Sequence, residues 1–251
     1  MEMRRVTEAE AAAFDRDGWA HLPGLVDPAT VADLAERARA RLASRTTRHA
    51  GRVEEAFGQS RDVAAEDERF GAVMTAFGPS AVELLHGVAA VRVQVSNLLV
   101  KEPGEHGETA FHQDFPWMPM DRSAMLTLWL ALVDVPAEMG SLRFFTGSHT
   151  RGLLGRSFLR AGDDQLSVHP WLREHDLSPA LDLAAGDATV HHSLTVHGAP
   201  ANRLGRARLS FTATYFDAAT LYTGAPYAQT DGLGLTVNEP FEHERFPCLR
   251  P

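Results

Sequence analysis

The sequence of 251 residues contains one cysteine, Cys248. A lone thiol excludes an internal disulfide and a metal cluster held by several thiolates, and it fits a reducing compartment. Long apolar runs are also missing, since no stretch approaches the roughly 20 residues of a membrane span. The charged N-terminal segment 1–18 lacks the apolar core of a secretory signal. We therefore predict a cytoplasmic protein that is neither exported nor inserted in a membrane.

Basic side chains are in the minority, with 24 Lys and Arg against 33 Asp and Glu and a formal net charge of −9. Nucleic acids and anionic membranes attract clustered basic side chains, so we expect a small-molecule partner and neither of those two. The chain also lacks internal repeats, low-complexity tracts and an interdomain linker. With 44% hydrophobic residues, this length predicts one domain over residues 1–251. The oligomeric state stays open between monomer and homodimer.

The first third, residues 1–89, is predicted to be mostly helical and to support a core elsewhere. Thr7-Glu8-Ala9-Glu10 has the pattern of a capping box that begins a short helix. Asp27-Pro28 supplies a cap and a first-turn proline for the next helix.

Two features interrupt this helical part. Residues 45–65 are polar and poorly periodic, which predicts a loop near the entrance of a site. Gly78-Pro79 predicts a break between two short helices over residues 67–77 and 80–87.

From residue 90 the pattern changes to strands, because Val91, Val93 and Val95 alternate with polar residues. We predict strands over residues 91–100, 108–114, 124–134, 141–146, 181–184, 187–192, 195–198 and 206–217. Short strands after a helical third predict a mainly β fold, an antiparallel barrel over 90–217 with packed helices. Residues 218–251 form a C-terminal extension. The irregular stretch 150–180 is expected to cover the mouth of the barrel.

The stretch 111–117 contains a His-x-Asp motif. Alternate side chains of a strand share a face, so His112 and Asp114 would point the same way and Gln113 the other. If His197 reaches the same point, the three form the two-histidine, one-carboxylate triad of non-haem Fe(II) oxygenases. Alone, the motif is weak, and a hydrogen-bonded surface pair would explain it better.

Arg208 strengthens the hypothesis. It lies eleven residues after His197, inside a strand-like run of apolar, β-branched and aromatic residues, 208–215. An arginine is expensive to bury there unless it meets an anion. Ser210 shares its strand face, so the pair is predicted to bind a carboxylate.

Together these motifs resemble the phytanoyl-CoA dioxygenase family of Fe(II)- and 2-oxoglutarate-dependent oxygenases. The matching segments are F-H-Q-D-F-P-W at 111–117, G-S-L-R-F-F-T-G-S-H at 140–149, A-G-D at 185–187 and H-G-A-P-A-N at 197–202. The resemblance implies a double-stranded β-helix, the jelly-roll or cupin-like fold, in agreement with the barrel predicted above. It implies iron ligation by His112, Asp114 and His197, and contact of Arg208 and Ser210 with the distal carboxylate of 2-oxoglutarate. By the same resemblance, dioxygen would be the other co-substrate.

Further site residues are predicted from position. Gln94 and Thr109 are candidates for co-substrate contact, although Gln94 could equally satisfy backbone groups. Trp129 could line the pocket or pack in the core, and the core is favoured. His191 and His192 are expected not to be ligands. The substrate pocket is predicted to contain Phe111, Phe115, Trp117 and Arg143.

The resemblance implies decarboxylation of 2-oxoglutarate to succinate and hydrogen abstraction from a small molecule. Asp114 favours hydroxylation over halogenation, because related halogenases have Gly or Ala in its place. Epimerisation, cyclisation or desaturation by the same iron chemistry is the alternative. The Ala-, Arg- and Gly-rich composition suggests a bacterial enzyme of secondary metabolism. Two alternatives are a cupin-like metalloenzyme without a 2-oxo acid and a non-catalytic cupin-like ligand-binding protein. Arg208 with Ser210 argues against the first, and the complete triad against the second.

Overall fold

The structure, a computed structural model, describes residues 2–43, 56–155 and 165–250. The helices are α1 (Glu8–Asp17), α2 (Pro28–Ala43), α3 (Val63–Glu66), α4 (Glu68–Leu84) and α5 (Gln165–Val168). The strands are β1 (Trp19–Leu22), β2 (Gly58–Arg61), β3 (Val91–Lys101), β4 (Thr109–His112), β5 (Met125–Ala131), β6 (Arg143–Phe144), β7 (Ala188–His192), β8 (His197–Ala199), β9 (Arg208–Asp217) and β10 (Cys248–Leu249). Short 3-10 helices span Phe115–Trp117, Ala137–Met139, Ser148–Arg151 and Pro170–Glu174. Within the described ranges, no helix combines the length and apolarity that crossing a membrane requires.

Two antiparallel sheets form the core. The larger has seven strands in the order β1-β7-β5-β9-β3-β10, with β2 also paired to β3. The smaller has the order β4-β8-β6. This confirms the predicted antiparallel jelly-roll. The predicted strand 181–184 is wrong, because Leu183 makes only an isolated bridge to Val135. The first third contains strands β1 and β2 besides its helices, so the helical prediction holds only loosely.

The large sheet separates a helix-covered face from a polar face. On β9 and β5, the residues Leu126, Leu128, Leu130, Phe211, Ala213 and Tyr215 pack in the main hydrophobic core. Tyr215 donates a hydrogen bond to Met74 O of α4 at 2.8 Å, and its ring centroid lies 5.6 Å from that of Phe77. Because side chains alternate along a strand, the intervening residues face the other sheet, where the site lies.

The predicted helix starts are confirmed. Thr7 Oγ1 accepts from the Glu10 amide at 3.2 Å, and the Glu10 carboxylate accepts from the Thr7 amide at 2.8 Å. The Asp27 carboxylate accepts from the Thr30 amide at 2.9 Å, and α2 begins at Pro28.

The predicted break at Gly78-Pro79 is wrong, since α4 runs through both residues. Proline inside a helix costs roughly 3 kcal/mol, but tertiary packing decides most helices in proteins. Here the buried face is continuous across the proline and consists of Phe70, Val73, Phe77, Ala81 and Leu84. Gly78 lets β10 approach, because a Cβ there would lie 3.0 Å from Leu249 side-chain atoms.

Both predicted irregular stretches need correction. Of 45–65, residues up to 55 lie outside the described residues, and the remainder forms β2 and α3 rather than a loop. Of 150–180, residues 156–164 lie outside them too. The described part packs through Leu172 against Phe145, and none of its described residues lines the central cavity. The predicted cover over the mouth is therefore wrong for this part.

Candidate metal centre

Between the sheets lies a cavity of about 250 Å³. Its wall contains the predicted site residues His112, Asp114, His197, Arg208, Gln94 and Thr109. The large sheet adds the polar-face residues Thr127, Trp129, His191, Thr212 and Thr214. The two halves of the sequence motif therefore meet in one space.

The triad is assembled at one end of the small sheet. His112 on β4 pairs directly with His197 on β8. Their Nε2 atoms each lie 3.8 Å from Asp114 Oδ1, and the three ligand atoms lie within 4.8 Å of one another. This group could hold a metal ion.

Asp114 is positioned by a turn rather than by a strand. The predicted strand 108–114 ends at His112, and the amides of Asp114 and Phe115 both donate to Ser193 O at 3.1 Å. The expectation that alternation alone aligns His112 with Asp114 is therefore wrong, although both side chains reach the same point.

The two imidazoles have defined tautomers. His112 Nδ1 donates to Ala110 O at 2.8 Å, and His197 Nδ1 donates to Thr195 O at 3.0 Å. A carbonyl only accepts, so Nδ1 carries the proton and the Nε2 lone pair is available to a metal. Burial lowers the pKa of both rings to about 4. Both are neutral at neutral pH, as metal ligation requires.

The two carboxylate oxygens of Asp114 have different surroundings: Oδ1 lies towards the two histidines, and Oδ2 accepts hydrogen bonds from neighbouring side chains. Oδ2 accepts from Thr127 Oγ1 at 3.0 Å and from His191 Nε2 at 3.3 Å. Burial raises the pKa of this carboxyl, but His197 and His191 outweigh it and hold the pKa below its ordinary value. An ionised carboxylate with two neutral imidazoles is a donor set that suits Fe(II).

Arg208 and Ser210 present unused hydrogen-bonding groups. Arg208 is 2% exposed, donates from Nη1 to Gly140 O and lies over the Trp129 ring at 5.4 Å. Burial lowers the pKa of its guanidinium to about 10. Among the described residues, Arg208 Nε and Ser210 Oγ have no partner, and no carboxylate forms an ion pair with Arg208. A carboxylate ligand fits this position.

Trp129 is buried as predicted, but it also lines the cavity. Its Nε1 has no hydrogen-bond partner among the described residues. The core prediction is therefore incomplete. The signal for the second role was present in the sequence, because Trp129 is spaced by two from Thr127 and shares its face.

Sequence reasoning missed Lys101, the only lysine of the chain. It pairs with Arg208 across β3 and β9, is fully buried and donates to Pro200 O at 2.8 Å. Burial and the Arg208 charge lower the pKa of its ammonium group to about 7. The sequence did contain a signal for this buried lysine, because Lys101 stands at the end of a strand with an alternating apolar pattern.

Gln94 and Thr109 both line the cavity at different places. Thr109 pairs with Ala199, two residues beyond His197. Gln94 lies seven residues from Lys101, the partner of Arg208, which is about 23 Å along a strand. Its amide donates to Tyr227 Oη at 2.9 Å and to Gln229 Oε1 at 2.6 Å. The co-substrate role of Gln94 stays a prediction, and its position favours the end away from Arg208.

The four residues predicted for the substrate pocket do not line the cavity. Phe111 packs edge-on against Phe145 at 4.9 Å, because it points away from the neighbouring His112. Arg143 donates to Ser178 O at 2.9 Å. Phe115 packs against a separate apolar cluster, and Trp117 in the next turn is also outside the lining. The apolar wall consists instead of Phe57, Val95, Leu99, Met118, Met125 and Leu142.

The C-terminal segment is part of the site. Phe241 and Phe246 pack on Phe216 with ring centroids 5.2 and 6.2 Å apart. Tyr227 and Gln229 of this segment line the cavity, as do Gln59 and Arg61 of β2. Sequence reasoning identified none of these four residues.

Comparison with known sequences gives one family. The model of the phytanoyl-CoA dioxygenase (PhyH) family matches residues 14–210. Phytanoyl-CoA dioxygenase domain-containing protein 1 of Mus musculus is 32% identical over 155 residues, which cover 58% of this chain and 50% of that protein. Phytanoyl-CoA dioxygenase 1 of Oryza sativa subsp. japonica is 33% identical over 125 residues, covering 48% and 44%. The chain thus spans about half the length of the curated relatives it matches.

Solved structures give a closer match in length. The non-heme alpha ketoglutarate dependent carbocyclase SnoK from nogalamycin biosynthesis has a TM-score of 0.82 and 28% identity, covering 97% of this chain and 96% of that chain. The non-heme alpha ketoglutarate dependent epimerase SnoN from the same biosynthesis has a TM-score of 0.80 and 32% identity, covering 97% of this chain and 98% of that chain. EctD from S. alaskensis with bound Fe has a TM-score of 0.68 and 21% identity, covering 86% of this chain and 79% of that chain. At this identity the likeness shows the fold alone. Because the family model matches well over half of the sequence, the chain belongs to the phytanoyl-CoA dioxygenase family.

Proposed function

We propose that the protein is an Fe(II)- and 2-oxoglutarate-dependent oxygenase that acts on a small molecule in secondary metabolism. The observation that carries the proposal is one cavity that contains both a metal-binding group and an unpaired buried cation. His112, Asp114 and His197 would hold iron, and Arg208 with Ser210 would hold the distal carboxylate of 2-oxoglutarate.

When bound, iron would activate dioxygen, which is the oxidant, and 2-oxoglutarate would supply two of the four electrons as it is oxidised to succinate and carbon dioxide. The chain's own residues would hold and orient the groups that bind iron and 2-oxoglutarate. Thr127 and His191 hold Asp114 Oδ2, which leaves Oδ1 towards the metal position. Gly140 O and the Trp129 ring hold the Arg208 guanidinium in the cavity. Such positioning accounts for a large part of the rate that an enzyme can provide.

Hydroxylation or another oxidation that begins with hydrogen abstraction is the proposed reaction, because Asp114 keeps the carboxylate ligand in place. Epimerisation and cyclisation are favoured as second outcomes by the likeness to SnoN and SnoK over 97% of the chain. SnoN has also been solved in complex with Fe3+, alpha ketoglutarate and nogalamycin RO. A small organic substrate is therefore proposed. A non-catalytic binding protein would not need a complete triad beside an unpaired arginine.

The first test is spectroscopic. Anaerobic addition of Fe(II) and 2-oxoglutarate should produce a weak visible charge-transfer band, which reports chelation of the metal by the 2-oxo acid. Arg208→Ala should weaken 2-oxoglutarate binding by at least about 10-fold, since a charge-assisted contact contributes roughly 1.5–3 kcal/mol. Arg206→Ala, an exposed arginine two residues earlier, is the matched control and should bind normally. A colourless mixture without 2-oxoglutarate affinity would contradict the proposal.

The substrate is sought by measuring succinate release against a metabolite library, because this assay detects the chemistry and the substrate together. Asp114→Ala should abolish the release. The predictions of no nucleic-acid partner, of a monomer or homodimer and of a cytoplasmic location belong to this proposal. Light scattering of the purified protein measures the oligomeric state.

A further inference from the structure

A buried hydrogen-bond acceptor belongs to Gln94, which lines the cavity at its end away from Arg208. Gln94 is 3% exposed, and both N–H groups of its amide are used, one towards Tyr227 Oη and one towards Gln229 Oε1. Its Oε1 is buried and has no partner among the residues described by the structure. An unsatisfied buried polar atom costs about 1–3 kcal/mol, and such atoms in native proteins call for a ligand or another partner.

The position of Gln94 assigns this acceptor to the substrate rather than to the co-substrate. Its neighbour Val95 pairs with Thr214. Thr214 Oγ1 lies 3.1 Å from Thr127 Oγ1, which donates to Asp114. Gln94 is therefore one strand away from the side chains that hold the metal-binding carboxylate. Under the proposed function, the 2-oxo acid would lie between the metal position and Arg208, which is at the opposite end of β3.

The surroundings limit the chemical class of the group that Gln94 could bind. Met118 and Met125 line the cavity and pack in one apolar cluster. Met125 lies at the Gln94 end of the large sheet, because its partner Phe216 also pairs with Arg92. Arg61 lies on the wall, is exposed, and has no carboxylate partner among the described residues. An ammonium group would be repelled by this charge, whereas a hydroxyl group is a neutral donor. The complement of the site is an apolar molecule that carries a hydroxyl group.

We propose that Gln94 accepts a hydrogen bond from a substrate hydroxyl and that Tyr227 and Gln229 are positioning residues that orient its amide. This inference rests on the proposed function, whose substrate class it specifies as hydroxylated, largely apolar and not cationic. Tyr227 and Gln229 lie beyond residues 14–210, which the family model matches.

The probes are a matched pair of small molecules, 4-fluorophenol and 4-fluoroanisole. The second carries a methyl group in place of the hydroxyl proton and so cannot donate a hydrogen bond. Fluorine NMR titration of the anaerobic protein loaded with Fe(II) and 2-oxoglutarate gives both dissociation constants. We expect about five-fold tighter binding of the phenol, the size of one net hydrogen bond. Gln94→Met, similar in length, should remove the preference. Equal affinities, undetectable phenol binding, or a preference that survives Gln94→Met would overturn the inference.

Two further variants separate positioning from general damage. Gln229→Glu keeps an oxygen that accepts from the Gln94 amide and should retain the phenol preference, whereas Gln229→Leu should lose it. Tyr227→Phe should reduce the preference, while Tyr222→Phe, whose side chain lies in the apolar cluster of the same segment, should not. A loss in Gln229→Glu equal to that in Gln229→Leu would overturn the positioning role.

The charge-transfer band, recorded on the same samples, keeps the two proposals apart. Gln94→Met should retain the band because Gln94 is remote from Arg208. A band without phenol preference overturns the substrate inference alone. A phenol preference without a band overturns the proposed function and leaves the hydroxyl site in place.

Discussion

Lys101 shows how one buried charge affects the free energy of unfolding. The unfolded chain keeps this lysine protonated up to its ordinary pKa of 10.5, whereas the folded protein releases the proton at about 7. Between these values the unfolded state binds more protons, so stability rises with pH. Below pH 7 both states are protonated and burial of the charge is least favourable.

Lys101→Met should remove this pH dependence. We expect the stability of the wild type relative to the variant to increase from pH 7 to pH 10, by at most about 4 kcal/mol, since each of the three pH units contributes at most about 1.36 kcal/mol. Urea unfolding of both proteins at both pH values gives the difference in free energy of unfolding between wild type and variant, and how that difference changes with pH. Groups that titrate alike in the two proteins do not contribute to this change. A difference that stays constant with pH would show that Lys101 keeps an ordinary pKa.

At the same scale, the residues predicted from their own chemical signal line the cavity, whereas the four residues predicted for the substrate pocket do not. His112, Asp114, His197 and Arg208 are recognisable because their chemistry has few structural explanations in such patterns. Phe111 was predicted to lie in the pocket, yet it packs against Phe145, because neighbours in a strand face opposite ways and His112 lines the cavity. His191 was rejected as a ligand, and its contact with Asp114 arises from the pairing of β7 with β5, which sequence spacing does not reveal.

At the scale of elements, the turn at Gly140 connects the fold to the cofactor site. Its φ of 81° lies in the left-handed region, and a Cβ there would lie 2.3 Å from Pro200 O. Its carbonyl also accepts from Arg208 Nη1. The turn therefore needs glycine both for its conformation and for the close approach of the loop after β8.

Gly140→Ala should destabilise the protein by more than about 2 kcal/mol and weaken 2-oxoglutarate binding, because the clash displaces the carbonyl that holds Arg208. Gly147→Ala is the matched control. Its φ of 76° is similar, but nothing lies within 4 Å of the added Cβ, so it should cost about 1 kcal/mol and leave binding unchanged. Thermal unfolding and 2-oxoglutarate titration test both variants, and equal effects would mean that the contact with Pro200 is unimportant.

Element boundaries were predicted well where local hydrogen bonds determine them and poorly where packing does. The capping box of α1 and the cap of α2 are local, and both were correct. Pro79 was expected to end a helix, but the buried face of α4 continues past it. β4 was expected to reach residue 114, but two amides turn towards Ser193 instead. These outcomes depend on residues distant in sequence, which a local pattern does not contain.

At the scale of the whole molecule, the candidate site joins the two sheets. His112 and His197 come from the small sheet, and Arg208 and Thr127 from the large one. The predicted jelly-roll accounts for this juxtaposition. The contribution of the C-terminal segment to the wall was not predictable, because Tyr227 and Gln229 lie in irregular chain and reach the cavity through packing of Phe241 and Phe246.

Ligands that bridge two sheets should stabilise the whole fold. At 100 times its dissociation constant, a ligand specific for the folded state adds about 2.7 kcal/mol, which for a chain of this size raises Tm by about 5–10 °C. We therefore expect Fe(II) and 2-oxoglutarate together to raise Tm more than Fe(II) alone in calorimetry of the anaerobic protein. In Arg208→Ala, Fe(II) alone should still raise Tm, because the triad is intact, but the added 2-oxoglutarate should raise it far less. An undiminished 2-oxoglutarate increment in Arg208→Ala would place the distal carboxylate elsewhere, whereas Arg206→Ala should behave as the wild type.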